Sequence, residues 1–526
     1  MASGDGSVGQ GLLSLWLLVL LIGFVCWIPL HLHGPVCRGS VKVGPLDDLP
    51  LNMRHGAMVK GIESMSESAA AKAYRHYTIW PALVAVSFLL SPVITTAIPR
   101  VTWLFLPLIG FVTILAAART NGVSRRLIEV NATLTACLLV AAYVFLSATW
   151  AEDPGTALGK GALLTGVLLI SFATSRAIPQ LDQHQLRIAA IALSIGTFVA
   201  ALFVTFELLT DGAITRLILN SVTLLQRPNP KHGTINNGQI TYLNLSRAFN
   251  QNVTILVFNL WPALLALKSV IRSRGSIFTG LLFAAVALAV FLSEQQSSQV
   301  ALVVSFVVFC LSWLWRGVIR SLAALWCLAF ALVLPIDFLA YDANLHMAQW
   351  LPNSFRARVI IWEYTAERFF DHPWLGVGAD STRAMKEQRR SEKTAEQPPG
   401  FIYPRTIGSH AHNIFLQTLF ELGVIGAILM AFAGAAVALR MSLLRIEAQP
   451  FAAASFTAFM AIASFAWGMW QTWLICGAAI LLIYLLVGGN VAAGESRVDV
   501  KTANDRGDLA SHPEVGREPA KTERLP

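Results

Sequence analysis

The sequence Ser409-His410-Ala411-His412-Asn413, immediately before an apolar run, could carry acid–base chemistry. If Ser409 is the N-cap of the helix that follows, His412 falls in the first helical turn. Free backbone N–H groups and the helix dipole favour anions at that point. A neutral histidine there can accept a proton at physiological pH. His412 is therefore the candidate general base.

Two other interpretations of these histidines stay open. His412 could be a capping or interfacial residue without a chemical role. His410 and His412 could also hold a metal ion, but side chains at i and i+2 do not share a helical face, and no carboxylate is adjacent. The sequence therefore predicts a site that uses no metal and no cofactor.

Two arginines could bind a phosphate group. Arg358 falls on the apolar stripe of an amphipathic helix predicted at Arg358–Phe370 and expected to lie on the membrane surface. A charge on such a stripe is either paired with an acidic side chain or aimed at an anion. Arg247, among three asparagines at the start of another apolar run, could instead reach back to the membrane interface. Because guanidinium groups suit bidentate phosphate contacts, both arginines are candidates.

Further residues are candidates for a supporting role: Arg356, His410, Asn413 and Glu421. Arg356 could equally be exposed. Glu421 and Gln417, four apart in one predicted helix, could bond to neighbouring helices or support the histidine.

Glycines mark two places where the backbone needs room. The sequence from His372 to Gly378 predicts a tight turn in which Gly376 and Gly378 allow positive φ or close backbone approach, a weak phosphate signal alone. Gly423 and Gly426 predict close packing between helices.

The elements that must position these residues are membrane helices. The chain has 526 residues, of which 55% are hydrophobic and 13% charged, against roughly 25% charged residues in soluble proteins. The predicted fold is an all-α polytopic membrane protein with about 12 core transmembrane helices and an extra N-terminal helix. Because the basic residues lie mostly in short connectors, the net charge of +9 is not a nucleic-acid signal. No cysteine spacing indicates zinc or a disulfide framework.

The apolar runs and the connectors between them predict the orientation. The runs are at 11–30, 78–98, 101–118, 128–148, 159–177, 186–209, 250–268, 276–292, 297–315, 319–340, 413–439, 452–468 and 471–488. Every second connector is basic, and the positive-inside rule places these in the cytoplasm. The connectors at 150–159, 211–250, 293–299 and 341–412 then face outward, and Arg247, Arg358 and His412 lie in them.

Five regions follow from this pattern. They are an N-terminal helix with a basic cytoplasmic connector (1–77), a first transmembrane part with the outward loop 211–250 (78–340), a long outward catalytic loop (341–412), a second transmembrane part (413–488), and a disordered cytoplasmic tail (489–526). We interpret the first helix as an appendage to the core. Alternatively, the natural chain starts at Met58 or Met65.

Two motifs resemble the O-antigen ligase and polymerase superfamily. One is His412-Asn413 followed by Gly423 and Gly426, and the other is the run from Arg358 through Trp362 to the Pro373–Gly378 turn. Arg247 resembles the arginine that precedes the central loop in these proteins. The run Ser293–Ser298 departs from the family, whose members often have a Ser-Arg pair there, so a third arginine at the site is in question.

The resemblance implies a membrane glycosyltransferase on the periplasmic side of the bacterial inner membrane. It would transfer a glycan from undecaprenyl pyrophosphate to a lipid A core sugar, with inversion and without metal. His412 would be the base, and Arg247 and Arg358 would bind the pyrophosphate. Its partners would be the lipid-linked glycan, the lipid A core or a lipid-linked acceptor, and membrane lipids, with no nucleic acid.

Three alternatives stay open. A polymerase of the same superfamily would join lipid-linked repeat units, although the histidine motif favours the ligase. A transporter of lipid-linked glycans would place its polar residues near the middle of the membrane on broken helices, whereas here they cluster in outward connectors. A purely structural subunit gives no reason for a long loop with Arg358 and two histidines.

Overall fold

The computed structural model describes residues 79–121, 131–221, 233–236, 239–271, 275–385 and 400–510. The predicted N-terminal helix and its basic connector lie outside these residues. The described chain forms helices and one β-hairpin: α1 (Ile79–Ala97), α2 (Thr102–Asn121), α3 (Ala132–Ser147), α4 (Pro154–Ala177), α5 (Gln183–Leu209), α6 (Ala213–Ser221), β1 (Gly233–Asn236), β2 (Gln239–Leu243), α7 (Leu245–Ala248), α8 (Asn250–Val270), α9 (Gly275–Leu292), α10 (Gln296–Leu314), α11 (Val318–Asp342), α12 (Asn353–Phe369), α13 (Ser381–Met385), α14 (Ile414–Met441), α15 (Gln449–Phe465) and α16 (Thr472–Ala510).

The fold prediction is confirmed: this is an all-α polytopic membrane protein. Among the described residues, nine helices are long and apolar enough to cross a membrane, and three shorter apolar helices accompany them. The twelve coincide with the twelve runs predicted from residue 78 onward. The strands β1 and β2 form a small antiparallel hairpin inside the predicted outward loop 211–250.

Helix α8 forms the centre of the bundle and leads directly from the short helix that carries Arg247. Its side chains from Asn252 to Ala266 are buried, and it packs against α5, α9, α15 and α16. The indole of Trp261 stacks on Phe309 with ring centroids 4.9 Å apart, and its N–H donates to Ser305 Oγ at 2.9 Å. This rigid helix therefore fixes the position at which the Arg247 segment begins.

The connectors predicted to face outward meet at one end of the bundle. The backbone N–H of Glu152 donates to Ser381 Oγ (3.2 Å), and Lys160 forms an ion pair with Asp380 (3.2 Å). At the other end, Lys268 of one basic connector lies over the ring of Phe451, which follows the next one, and Arg445 donates to the carbonyl of Ala492 (3.4 Å). The alternation read from the sequence therefore corresponds to two physical ends of the bundle.

Helix α14 is broken at Gly423, which has φ 66° and ψ −171°. The turn Pro373–Gly378 lies against the break and supplies hydrogen-bond partners for the freed backbone groups. Val424 N–H donates to the Pro373 carbonyl (2.9 Å), and Gly378 N–H donates to the Glu421 carbonyl (2.8 Å). The hydroxyl of Tyr143 donates to the Leu422 carbonyl (3.0 Å). We call this arrangement the kink interlock.

Two sequence interpretations change here. The Gly423 position was predicted to serve helix packing, but a side chain there would overlap the Trp374 carbonyl, so the glycine is needed for the kink itself. The last helix runs to Ala510, well past Gly489, where the disordered tail was predicted to begin. Residues 511–526 lie outside the described part of the chain.

Candidate functional site

The helix predicted at Arg358–Phe370 exists as α12, but protein covers it instead of leaving one face open. Its residues Val359 to Ala366 are buried, and it packs between α11 and α14. The buried surface of α12 is wider than the predicted apolar stripe, because the side chains of Ile360, Ile361 and Tyr364 are buried as well. Arg358 is therefore held on a helix that is enclosed by protein.

The N-cap prediction for the histidine segment is wrong. Asn413 is the N-cap of α14, and its side-chain oxygen accepts from the N–H groups of Phe415 (3.0 Å) and Leu416 (3.3 Å). Serine and asparagine are both good N-caps, and the nearer residue takes the role. His412 consequently precedes the helix and adopts φ 56°, in the left-handed region that non-glycine residues rarely occupy.

The ring of His412 is oriented by one hydrogen bond. Its Nδ1 lies 2.8 Å from the carbonyl oxygen of Ala466, in the connector between α15 and α16. Because a carbonyl oxygen can only accept, Nδ1 carries the proton in the neutral ring. The lone pair is then on Nε2, which is the atom that can accept a proton from a substrate.

The pKa of His412 is lowered to about 4, mainly by burial and also by the nearby Arg358 guanidinium, while the bond to Ala466 acts in the opposite direction. The imidazole is therefore neutral at physiological pH. The same effect shows that Arg358 and His412, which are far apart in the sequence, are electrostatic neighbours. The structure thus brings these two predicted site residues together.

Arg247 and Arg358 line the same cavity, which has a volume of about 610 Å³. Arg247 is exposed on α7, and Arg358 is half-buried on α12. The connector between α9 and α10 forms much of the remaining wall. Arg247 and Asn250 also border a second cavity of about 570 Å³ with a mostly apolar lining. Arg247 thus stands where the two cavities adjoin, and Arg358 borders the polar one.

Tyr403 was not singled out from the sequence, and it lies beside Arg358. Burial raises the pKa of its hydroxyl, while the Arg358 charge acts against that rise. Burial likewise lowers the pKa of Arg358, and Tyr403 opposes this. A tyrosine in an irregular segment carries no spacing signal, so only the fold could associate it with the arginine.

The segment that carries the histidines is fixed onto α12. The indole N–H of Trp362 donates to the carbonyl of Ala411 at 2.8 Å, between the two histidines. Arg405 binds Glu363 and Glu367 through Nη2 at 2.6 Å and 2.7 Å. The hydrogen bond from Glu363 and its charge raise the pKa of Arg405. These contacts, of which Arg405 was not predicted, hold the segment 400–412 against the helix that presents Arg358.

Glu421 is fully buried and is the centre of a hydrogen-bond network. Its carboxylate accepts from Asp380 N–H (2.9 Å), from the backbone and hydroxyl of Thr382, from Gln417 Nε2 (3.0 Å) and from the Trp470 indole. The network joins the end of the long loop, α14 and the connector that precedes α16. Such buried groups are costly unless satisfied, and here the bonds from the N–H groups of Asp380 and Thr382 fix the backbone directly.

This network supports the histidine indirectly. The side-chain oxygen of Gln417 accepts from Met469 N–H at 3.0 Å. Gln417 and Glu421 therefore hold residues 466–471, and that connector presents the Ala466 carbonyl to His412. The sequence suggested two roles for Gln417 and Glu421. Their contact with neighbouring segments is direct, and their support of His412 acts through the connector 466–471.

The other supporting candidates have structural contacts. Arg356 is buried, bonds to Asn353, and lies over the ring of Phe401 with 4.5 Å to the centroid. His410 bonds to Ser409 Oγ at 3.1 Å, and its ring centroid is 4.0 Å from that of His412. Arg356 is therefore not exposed and lines neither of the cavities that Arg247 borders.

Gly376 and Gly378 have φ 69° and 96°, as their turn prediction requires. A side chain at Gly376 would overlap the backbone of Glu421, and one at Gly378 would overlap Ala151. Their role in the described structure is therefore close approach between backbones. Within the described residues, no group of three or more His, Cys, Asp and Glu side chains is placed to hold a metal ion.

Comparisons with known proteins agree with this picture. A sequence model of the O-antigen ligase family matches residues 281–431, which include α12, His412 and the kink interlock. A Rickettsia conorii (strain ATCC VR-613 / Malish 7) protein named "Putative polysaccharide ligase" is 22% identical over 66% of this chain and 78% of its own. A Rickettsia felis (strain ATCC VR-1525 / URRWXCal2) protein of that name is 23% identical over 66% of this chain and 78% of its own. These matches support the assignment of the chain to the O-antigen ligase superfamily.

Proposed function

We propose that this protein is a membrane glycosyltransferase that moves a glycan from undecaprenyl pyrophosphate to a sugar of the lipid A core, at the periplasmic face of the bacterial inner membrane. One observation carries the proposal: Arg247 and Arg358 line one cavity, and Arg358 is an electrostatic neighbour of His412. Two fixed guanidinium groups suit a diphosphate, and a neutral imidazole suits a hydroxyl that must lose a proton.

The reaction then has one bond-forming and one bond-breaking event. The acceptor hydroxyl attacks the anomeric carbon while its proton passes to His412 Nε2. The bond from that carbon to the phosphate oxygen breaks, and the electron pair leaves with the lipid diphosphate. Arg247 and Arg358 stabilise the negative charge that develops on this leaving group. Attack from the side opposite the diphosphate inverts the anomeric configuration, and no step needs a metal.

Arg358 would also make the base sensitive to the donor. In the empty site its positive charge lowers the pKa of His412. A bound diphosphate offsets that charge, so the pKa of His412 rises towards its ordinary value and the imidazole becomes a better base. The base would therefore be strongest when the donor is in place.

The two adjoining cavities support a lipid-linked donor. Such a donor has a polar glycan, a diphosphate and an apolar chain in that order. Arg247 and Asn250 border both the polar and the mostly apolar cavity. A diphosphate held there would direct its glycan to one side and its first isoprene units to the other.

A variant with His412 replaced by alanine tests the function. It is expressed in cells that lack the native gene, and surface lipopolysaccharide and lipid-linked glycan are analysed separately. We expect loss of glycan from the lipid A core and accumulation of long polymer on the lipid carrier. His372→Ala is the matched control, because His372 is exposed at the end of α12 and lies outside the cavity. Membrane fractions must hold equal amounts of each variant.

Other outcomes separate the alternatives. Single repeat units on the core would indicate a polymerase, and normal surface glycan would refute the role of His412. Arg247→Lys and Arg358→Lys keep the charge but lose bidentate geometry. If both variants retain full activity, the arginines do not need bidentate contacts with the diphosphate, and only their positive charge contributes to its binding.

A further inference from the structure

The cavity between Arg247 and Arg358 has a lining without any apolar side chain. All ten residues that border it are polar or charged: Arg247, Asn250, Ser293, Glu294, Gln295, Gln296, Ser297, Gln299, Ser354 and Arg358. Six of the ten come from residues 293–299, which join α9 to α10 and begin the latter. We call this stretch the amide connector. Its composition is unusual for a turn between two membrane helices and calls for a polar ligand.

Hydrogen bonds at both ends of the amide connector fix its conformation. Ser293 Oγ donates to the Val290 carbonyl (2.7 Å), and Gln299 Nε2 donates to the Ser293 carbonyl (2.7 Å), so the turn is braced from both ends. Gln295 is only 9% exposed and Ser297 only 7%. Neither Gln295 nor Ser297 makes a side-chain hydrogen bond to any residue in the described part of the chain. Two largely buried polar side chains therefore border the cavity with their bonding capacity unused.

The hydrogen-bonding groups in the cavity wall indicate the kind of ligand that it binds. Amide and hydroxyl side chains both donate and accept hydrogen bonds, as do ring hydroxyls and N-acyl groups of a sugar. A lipid chain finds no apolar side chain there. The volume of about 610 Å³ exceeds what a diphosphate occupies and falls within the usual range for small-molecule sites. A sugar bonded to a diphosphate held by Arg247 and Arg358 would lie in this space.

We propose that the amide connector is a specificity-determining subsite that binds the donor sugar attached to the diphosphate. Gln295 and Ser297 bond to its hydroxyl or N-acyl groups. The exposed carboxylate of Glu294 favours neutral sugars and disfavours a uronic acid, because two carboxylates would approach each other in one cavity. The assignment rests on the proposed function, since it needs a sugar diphosphate as donor.

The test uses the purified full-length protein in lipid nanodiscs with synthetic polyprenyl-diphosphate donors. One donor has a neutral N-acetylhexosamine next to the diphosphate, and the other has a hexuronic acid there. We expect Gln295→Ala to lower kcat/KM for the neutral donor about tenfold, mostly through KM. Glu294→Gln should raise the ratio of uronic-acid to neutral kcat/KM about tenfold. Gln349→Ala is the control, because Gln349 is exposed and borders neither cavity.

The outcomes distinguish this inference from the proposed function. If arginine variants abolish transfer from both donors while Gln295→Ala and Glu294→Gln keep the wild-type preference, only the sugar subsite is refuted. If Gln295→Ala changes KM for the acceptor instead, the connector belongs to the acceptor and the inference is overturned. Activity that survives replacement of Arg247 and Arg358 by glutamine would refute the donor proposal itself. Glu294→Gln replaces an exposed side chain by one of the same shape, so this variant should fold. It therefore still tests the subsite if Gln295→Ala does not fold.

Discussion

The two walls of the candidate site differ in how firmly the fold holds them. The inner wall consists of α12, the segment 408–413, the kink interlock and the connector 466–471. The outer wall consists of α7, which carries Arg247, and the amide connector. The inner wall is buried and cross-linked by hydrogen bonds from Trp362, Gln417 and Glu421. The outer wall is made of short elements, and Arg247, Glu294 and Gln296 on it are exposed.

This difference matches the division of labour that we propose. A base must be held within a fraction of an ångström of its productive position, and that requires support from surrounding packing. Recognition of varied glycans tolerates change, and short connecting segments are where such change is usually accommodated. Chemistry would therefore depend on the inner wall, and donor preference on the outer one.

Replacement of Gly423 by alanine should have the largest effect, because it breaks the inner wall at its most constrained point. The residue has φ 66° and ψ −171°, a conformation that essentially only glycine adopts, and a methyl group would overlap the Trp374 carbonyl. We expect a loss of about 3 kcal/mol or more of folding stability and no detectable transfer. Thermal unfolding of the purified protein and a transfer assay measure the two effects.

The control for this variant is Gly166→Ala, in the middle of α4. A side chain at Gly166 meets nothing within 4 Å, so alanine should leave activity unchanged. Full activity in Gly423→Ala would mean that the kink does not support the histidine, and the distinction between the two walls would lose its structural basis.

Trp470→Phe tests the inner wall more gently. It removes the indole N–H that donates to the buried Glu421 carboxylate and leaves a smaller ring, so the connector 466–471 is held less firmly. The Ala466 carbonyl then holds the His412 ring less precisely. We expect kcat to fall about tenfold with little change in KM for the donor, because diphosphate binding does not depend on this contact.

Trp473→Phe is the matched control in the same part of the chain. Its indole N–H donates to Gln471 Oε1 at 2.6 Å and does not contact Glu421. Equal losses in the two variants would mean that general packing of the connector matters and that Glu421 has no special role in positioning the base.

The sequence predicted the components of this site better than their assembly. Arg247, Arg358 and His412 were found because charge and ionisable groups are costly at the edge of a membrane. The helix count followed from apolar runs, since each must cross the bilayer. These are local signals. The structure confirms the fold, places Arg247 and Arg358 at one cavity and makes Arg358 an electrostatic neighbour of His412.

What could not be predicted depends on contacts distant in sequence. Glycines spaced as Gly423 and Gly426 are compatible with helix packing and with a kink, and only the turn around Trp374 decides between them. Arg405 and Trp470 lie in irregular segments, where no periodicity marks a partner. The N-cap error arose because Ser409 and Asn413 are equally suitable by type, and the tertiary fold selects the start of α14.

The pH dependence of activity is the last and smallest expected effect, and it tests whether the inner wall determines the basicity of His412. Neutral imidazole is the active form, so activity falls as the pH falls through the pKa of that histidine. A pKa of about 4 in the free protein keeps the imidazole neutral at pH 5. In an ordinary histidine, with a pKa of about 6.5, only about one thirtieth of the imidazole would be neutral at that pH. We therefore expect kcat/KM to stay nearly constant from pH 7 to pH 5.

The acid limb of kcat should lie at higher pH than that of kcat/KM. The first reports the donor complex and the second the free protein. Bound diphosphate offsets the Arg358 charge, so the pKa of His412 rises in the complex. A limb of kcat/KM near pH 6.5 would contradict the buried environment of His412. Coincident limbs would mean that the diphosphate does not reach Arg358, and the two walls would then not meet in one site.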